Sequence, residues 1–143
     1  MKKLIFSLFI VSLFFLFSSN CFADGEGFLT VTANSSNTWG NPATGSYTLT
    51  YSDWVGTGGM ANPWYVTIES NSFNLHQGEI FDIFIYKNNV LIDNFTMEFN
   101  KNHILKDYRA NVGDVITIKI MYDFVTGLGS NAPSPSCIVT LNG

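Results

Sequence analysis

Apolar and polar residues alternate through residues 78–100, and the rest of the chain is best interpreted around this stretch. Phe81, Ile83 and Ile85 fall on one face of an extended chain, and the residues between them fall on the other. A period of two is typical of a strand with one face in a core. The alternation resumes after residues 87–89, where two asparagines suit the left-handed backbone of a tight turn. The pattern therefore predicts a β-hairpin.

Further alternating runs flank this hairpin on both sides. They cover residues 28–33, 45–51, 64–69, 104–108, 116–122 and 137–141. Loops rich in Gly, Asn, Ser and Pro separate them, and no segment shows a sustained apolar period of 3.6 residues. About eight strands at this spacing predict an all-β domain with almost no helix. We expect a single antiparallel β-sandwich, either immunoglobulin-like or jelly-roll-like.

Two of the predicted strands begin in the same way, with a glycine followed by an acidic residue. The pairs are Gly78 with Glu79, and Gly113 with Asp114. Glycine suits the positive φ that such a turn often needs. We therefore expect two turns of the same local form, as features of the architecture rather than signs of a duplication.

The first 23 residues have the three-part pattern of a secretory signal. Lys2 and Lys3 precede an apolar run over residues 4–17, and Ala23 is a small residue at a suitable cleavage position. That run is short for a membrane span. We expect a secreted protein (extracellular, periplasmic or on the cell surface) whose single domain covers residues 24–143, with no transmembrane segment after cleavage. Lipid modification of Cys21 is the alternative, although the residues before it fit a lipobox poorly.

The charge of the expected mature domain excludes some partners. It carries 5 basic and 11 acidic residues, which gives a formal charge of −6. Nucleic acids and anionic lipids are bound largely by cations that neutralise phosphates. We therefore expect neither as a partner.

The sequence contains few residues that could support catalysis or bind a metal ion. A nucleophile–base set would have to be assembled from Cys137, His76 or His103, and Asp107, but the spacing of these residues matches no known signature. We therefore predict that the protein is not an enzyme. No His or Met follows Cys137, as a blue-copper site would need, and zinc lacks a clustered ligand set. We therefore expect no cofactor, although the loop Asp and Asn oxygens are of the kind that hold a structural calcium ion. Cys137 itself suits a buried position at the start of the last strand, and an intermolecular disulfide is the alternative.

The aromatic residues are the most informative feature for function. Trp39 and Trp54 lie in or beside loops rich in Gly and Asn, close to Asn41, Asp53 and Tyr65. The apolar face of a sugar ring stacks on an aromatic ring, while amides and carboxylates bind its hydroxyl groups. These five residues are therefore the candidate carbohydrate-binding residues, on one aromatic loop face.

Three short strings in the same region carry a resemblance to a known family. Residues 41–45, 56–59 and 62–64 (NPATG, GTGG and NPW) resemble, in this order, the NPTTG, GxGG and RPW loop motifs of the chagasin family of cysteine-protease inhibitors, with Asn62 in place of the arginine. The resemblance implies an immunoglobulin-like sandwich whose three loops together enter a protease cleft.

Three functions follow from these observations. The leading hypothesis is a non-catalytic module that binds carbohydrate or another cell-surface component. The second is a structural or matrix protein that self-associates through sheet edges, because long apolar alternation with few charges leaves edges open to pairing. A chagasin-like protease inhibitor is the third.

Overall fold

A computed structural model describes residues 27–56, 64–124 and 133–143. Within these ranges the chain forms eight strands and one short helix: β1 (Leu29–Asn34), β2 (Ala43–Thr48), α1 (Tyr51–Gly56), β3 (Trp64–Phe73), β4 (Glu79–Lys87), β5 (Val90–Glu98), β6 (His103–Ala110), β7 (Val115–Phe124) and β8 (Ser136–Asn142). The predicted signal sequence and the parts of two glycine-rich loops at residues 57–63 and 125–132 lie outside the described residues.

The strands form two antiparallel four-stranded sheets. Sheet A has the order β1-β8-β3-β6 and sheet B the order β2-β7-β4-β5. The pairing is nested, because β4 pairs with β5, β3 with β6, β2 with β7 and β1 with β8. The predicted all-β sandwich is confirmed, and the nested order is that of a jelly roll. The immunoglobulin order, which pairs the first strand with the second, is absent from the described strands.

The predicted hairpin is the innermost pair of this nest. β4 and β5 are joined by Asn88 and Asn89, whose φ angles are 52° and 65°. Two consecutive residues with positive φ form the turn whose twist matches that of the flanking strands. Phe81, Ile83 and Ile85 all point into the core, as the alternation predicts.

The two turns formed by a glycine and an acid do share one local form. Gly78 and Gly113 have φ angles of 91° and 90°. In each turn the backbone N–H of the acid donates to the carbonyl three residues earlier, at 3.0 Å for Glu79 and 3.1 Å for Asp114. The carboxylate accepts from the backbone N–H of that same earlier residue, at 2.7 Å and 2.9 Å. The acidic residue therefore closes the turn with both its backbone N–H and its carboxylate.

The core lies between the sheets and consists of inward-pointing apolar side chains from both of them. The largest fully buried side chains are Leu49, Val66, Ile68, Phe81, Ile83, Ile85, Met97, Ile116, Ile118, Ile120, Val139 and Leu141. Cys137 is fully buried among them, which confirms the predicted buried position and leaves its thiol unavailable for an intermolecular disulfide in the folded state.

Two strand predictions extend too far along the chain. The predicted run over residues 45–51 continues past the end of β2 at Thr48, and Tyr51 is exposed at the start of α1. The predicted alternation through residues 78–100 includes Phe99, but β5 ends at Glu98 and Phe99 is exposed in the next turn. In both cases the alternation continues in the sequence after the ladder of hydrogen bonds has stopped.

Candidate functional site

Trp39 lies in the connection between β1 and β2. The Asn41 N–H donates to the Thr38 carbonyl at 2.9 Å and closes a turn around Trp39. The Asn37 carbonyl accepts a hydrogen bond from the backbone N–H of Tyr122, which ties the connection to β7. Although its backbone is anchored in this way, the Trp39 side chain is 61% exposed.

The indole of Trp39 rests against the outer face of sheet B. Its ring meets the ring of Phe84 edge-on, with centroids 5.7 Å apart and planes at 72°. Phe84 and Tyr86 point outward from β4, because Phe81, Ile83 and Ile85 occupy the alternate inward positions. Three aromatic rings are therefore present on one sheet face.

Polar side chains surround these rings. Across the ladders, Phe84 lies between Asn94 of β5 and Lys119 of β7, and the Lys119 ammonium lies over the Tyr86 ring, 5.1 Å from its centroid. We call the surface formed by Trp39, Phe84, Tyr86, Asn94 and Lys119 the ring face. It combines apolar platforms with an amide and a cation.

Hydroxyl and carboxylate pairs border the ring face. Thr96 donates to Asp82 at 2.8 Å, and the hydroxyls of Ser46 and Thr117 lie 2.8 Å apart. These pairs join neighbouring strands and hold their own polar groups in fixed positions. The border is therefore an ordered polar surface around the aromatic platforms.

Asp53 belongs to the N-terminus of helix α1. Its carboxylate accepts from the Thr50 N–H at 2.6 Å, and its own N–H donates to the Thr50 hydroxyl at 3.3 Å. This reciprocal pair is a capping box with aspartate in the third position. The Tyr47 hydroxyl also donates to Asp53, at 3.1 Å. The geometry gives Asp53 a structural role in starting the helix.

Trp54 is partly buried and packs against the core. Its ring also contacts Tyr51, with centroids 5.3 Å apart. The short helix turns Trp54 toward the sandwich, whereas Tyr51 remains exposed. The two tryptophans that the sequence groups together therefore have different surroundings.

Trp39 and Trp54 also lie at opposite ends of the sandwich. The connection that carries Trp39 meets β7 at Tyr122, and the segment leading into α1 is hydrogen-bonded to Asp114, just before β7 begins. The two contacts are eight positions apart along extended chain, which corresponds to about 26 Å. We call these the Trp39 end and the helix end. The five predicted residues are therefore not brought together on one loop face.

Tyr65 lies on a third surface, the outer face of sheet A. It is 60% exposed and lies opposite Arg109 of β6. Asn41, by contrast, is exposed in the Trp39 turn and stays close to Trp39 in the chain. Of the predicted set, Asn41 alone belongs to the same part of the molecule as Trp39, whereas Asp53 and Trp54 are together in α1 at the helix end.

The polar groups on the outer face of sheet A largely bond to one another. Thr67 donates to Asp107 at 2.7 Å, and the Asn71 amide donates to Glu69 at 3.3 Å. The His103 ring nitrogen Nδ1 lies 2.8 Å from the Asn71 side-chain oxygen Oδ1. This face therefore offers hydrogen-bonding groups that already have partners.

A buried carboxylate lies at the Trp39 end. Glu79 accepts from the His76 N–H at 2.7 Å, from the Tyr122 hydroxyl at 2.9 Å, and lies 2.9 Å from the His76 ring nitrogen. Burial alone would raise the pKa of Glu79, but these hydrogen bonds lower it below its ordinary value. Burial and the negative charge of Glu79 raise the pKa of Tyr122 to about 12. The network joins the β3–β4 turn to β7.

The four residues considered as a possible catalytic set lie in different parts of the structure. Cys137 is in the core, where burial raises the pKa of its thiol to about 12, whereas His103 and Asp107 lie on the outer face of sheet A. His76 is engaged with Glu79 at the Trp39 end. Among the residues that the structure describes, no group of three or more His, Cys, Asp or Glu side chains is arranged to hold a metal ion. In the same residues no helix has the length and apolar character to cross a membrane.

The chagasin-like strings are only partly covered by the structure. Residues 43–45 are in strand β2, paired with β7, rather than in a free loop. Gly45 has a packing role, because a Cβ atom there would lie 2.6 Å from Val31. Most of the other two strings lies outside the described residues. No protein-family model matches this chain, and no curated protein is significantly similar to it.

Sequence reasoning missed four residues of the ring face: Phe84, Tyr86, Asn94 and Lys119. A signal was present, because two aromatic residues occupy outward positions on the most strongly alternating strand. Their connection to Trp39 and Lys119 depends on strand pairing and on the path of the β1–β2 connection. Neither is visible in local sequence patterns.

Proposed function

We propose that the protein is an exported, non-catalytic binding module that takes carbohydrate on the ring face. The observation that carries this proposal is the exposed indole of Trp39, held edge-on against Phe84 above a sheet face with polar side chains. The nearly perpendicular rings form a corner. A sugar ring can stack on one of them and contact the other with its edge.

The chemistry of the ring face supports this choice of ligand. Sugar rings have apolar C–H faces that stack on aromatic rings, and hydroxyl groups that need amide, hydroxyl or charged partners. The ring face has both kinds of group within two strand spacings, since Asn94 and Lys119 flank Phe84 directly. The outer face of sheet A has no comparable ring cluster among its described residues.

The test compares two exposed aromatic residues on different faces. Trp39 and Tyr65 are 61% and 60% exposed, so each can be replaced by alanine at little cost in stability. A glycan array identifies a ligand, and calorimetry measures its affinity for each variant. We expect Trp39→Ala to weaken binding about thirtyfold, as for a central aromatic contact in an interface. Tyr65→Ala should bind as the unmodified protein does.

Two results would contradict the proposal. One is the absence of any glycan that binds above background. The other is a glycan whose affinity depends on Tyr65 and not on Trp39, because the site would then be on sheet A. Thermal unfolding of both variants checks that neither effect comes from a loss of folding.

Self-association through a sheet edge is the second candidate, favoured by one observation on β5. This edge strand begins with Val90, Leu91 and Ile92, which are 64%, 48% and 38% exposed. Consecutive exposed apolar residues on an edge favour pairing with another chain. The register shift between Ile85 and Tyr86 interrupts the regular ladder beside them.

Sedimentation at increasing protein concentration tests this alternative. If the edge associates, the Leu91→Lys variant remains monomeric at concentrations where the unmodified protein forms larger species. Val112→Lys is the matched control, because Val112 is 47% exposed in a turn outside the edge. A monomer at all concentrations, or equal effects of the two variants, would reject edge association.

A further inference from the structure

Lys119 differs from the two other lysines that lie in the paired strands. Lys106 pairs with Asp93, with 2.6 Å between Nζ and Oδ2, and Lys87 lies 4.0 Å from Asp114. No carboxylate among the described residues lies within ion-pair distance of the Lys119 ammonium. Lys119 is nevertheless half-buried, in a chain with an excess of acidic residues.

The position of the Lys119 ammonium is set by an aromatic ring. It lies over Tyr86, and its β4 neighbour across the ladder is Phe84. A cation above a ring is held by the negative face of that ring, and the N–H groups that point away from it remain free to donate. The ring face therefore presents a positioned cation beside its aromatic platforms.

The carboxylates on the same sheet face lie nearer to the Trp39 end. Asp123 and Glu98 are both level with Ile80, and Asp82 is level with Met121. Asp82 also accepts a hydrogen bond from Thr96. Charge on this face therefore changes along β4, from Glu98 and Asp123 level with Ile80, through Asp82, to the cation beside Phe84 and Tyr86.

We infer that the ring face selects acidic saccharides, in which a sugar carboxylate pairs with Lys119 while the sugar ring stacks at the corner of Trp39 and Phe84. This inference rests on the proposed carbohydrate-binding function and specifies its ligand class. A sugar carboxylate can come from a hexuronic acid or from a sialic acid. The pairing chemistry is the same for both.

Matched pairs of acidic and neutral probes test the inference. Trigalacturonate and sialyllactose are each compared with their methyl esters, so that each pair differs mainly in the carboxylate charge. We expect at least one acidic probe to bind about tenfold or more tightly than its neutral partner, the factor for a hydrogen bond between charged groups. The pair that shows the preference identifies the source of the carboxylate.

The same titrations are repeated on Lys119→Gln and on Lys101→Gln. Both variants lose one positive charge, but Lys101 is exposed in the turn between β5 and β6, outside the ring face. Lys119→Gln should abolish the preference, so that the acidic probe and its neutral partner bind this variant with equal affinity. Lys101→Gln should retain the preference.

The outcomes separate the inference from the function on which it rests. Equal binding of acidic and neutral probes, with both lost in Trp39→Ala, would overturn the inference and keep the carbohydrate site. An acidic preference that survives in Lys119→Gln would also overturn it. If no probe and no array glycan binds, both the proposed function and the inference fail.

Discussion

The two ends of the sandwich each carry a tryptophan, but they are built differently. At the helix end, Leu49 and the β6–β7 turn exchange two backbone hydrogen bonds, at 2.9 Å and 2.8 Å. Asn88 of the hairpin turn bonds to Asp114 and Val115, both at 2.8 Å. These contacts join three connections into one closed cap.

At the Trp39 end, the β1–β2 connection positions the indole, and not a cap made of several joined turns. One backbone hydrogen bond ties that connection to β7, and the Trp39 ring rests on a sheet face. In this protein, the tryptophan that follows the joined turns is partly buried against the core, and the tryptophan in the connection tied to β7 is exposed. The two connections therefore place their tryptophans differently.

The largest predicted difference between the two ends is in how much each tryptophan contributes to the free energy of unfolding. Trp54→Ala should lower the free energy of unfolding by about 3 kcal/mol, because it removes a large side chain packed against the core. Trp39→Ala should lower it by less than about 1 kcal/mol, since an exposed aromatic pair contributes little. Urea unfolding measures both. Equal losses would mean that the two ends do not differ in the way described.

The buried Glu79 carboxylate has three hydrogen-bonding contacts at the Trp39 end. Glu79→Gln should cost about 2 kcal/mol at neutral pH, because a charged acceptor of several hydrogen bonds is lost. Glu98→Gln, on an exposed residue, is the control and should have almost no effect.

The cost of Glu79→Gln should also depend on pH. The folded-state pKa of Glu79 lies below its ordinary value of 4.5, so its stabilising contribution is complete above that pH. It is lost as the pH falls through the lower folded value. The difference in stability between protein and variant should therefore narrow below pH 4.5, and a difference that widens there would contradict the assigned network.

At the helix end, Asp53→Ala should cost about 1 kcal/mol, the usual loss for a helix cap. Ser52→Ala is the matched control, since Ser52 is exposed in the same helix and makes no capping contact among the described hydrogen bonds. Urea unfolding of the two variants compares them. If Asp53→Ala preserved stability but weakened glycan binding, Asp53 would be a ligand contact after all.

The smallest predicted effect concerns the hairpin turn. Asn89→Gly should raise stability by about 0.5 kcal/mol, because glycine adopts positive φ without strain and Asn-Gly is favoured in this turn. Asn88→Gly should instead lower stability, because the Asn88 side chain holds Asp114 and Val115. Thermal unfolding of the pair shows whether the cap depends on Asn88 in the way proposed.

The sequence was sufficient for features that depend on neighbouring residues. The inward set Phe81, Ile83 and Ile85 and the Asn88–Asn89 turn follow from alternation and from turn chemistry. The strand ends near Tyr51 and Phe99 do not, because alternation persists where pairing stops. A capping signal, Thr50 with Asp53, was available but was hidden by the surrounding glycine-rich composition.

The candidate site was less predictable than the fold. Phe84 and Tyr86 could be assigned to an outward face, but Lys119 reaches them only through the pairing of β4 with β7. Asn41 and Trp39 remain together because they share one turn. Asp53 and Trp54 are separated from them because β2 carries the chain to the other end of the sandwich.

The nested pairing of the strands has a consequence for how the chain folds. Only two residues join β4 to β5, whereas nearly the whole described chain separates β1 from β8. Loop closure costs more entropy as the loop grows, so the sandwich should assemble outward from the hairpin, with β1 and β8 the last pair to form. In pulse-labelled hydrogen exchange during refolding, the amides of Ile83 and Ile85 should become protected before those of Val31 and Val139. The reverse order would show that assembly starts at the outer strands.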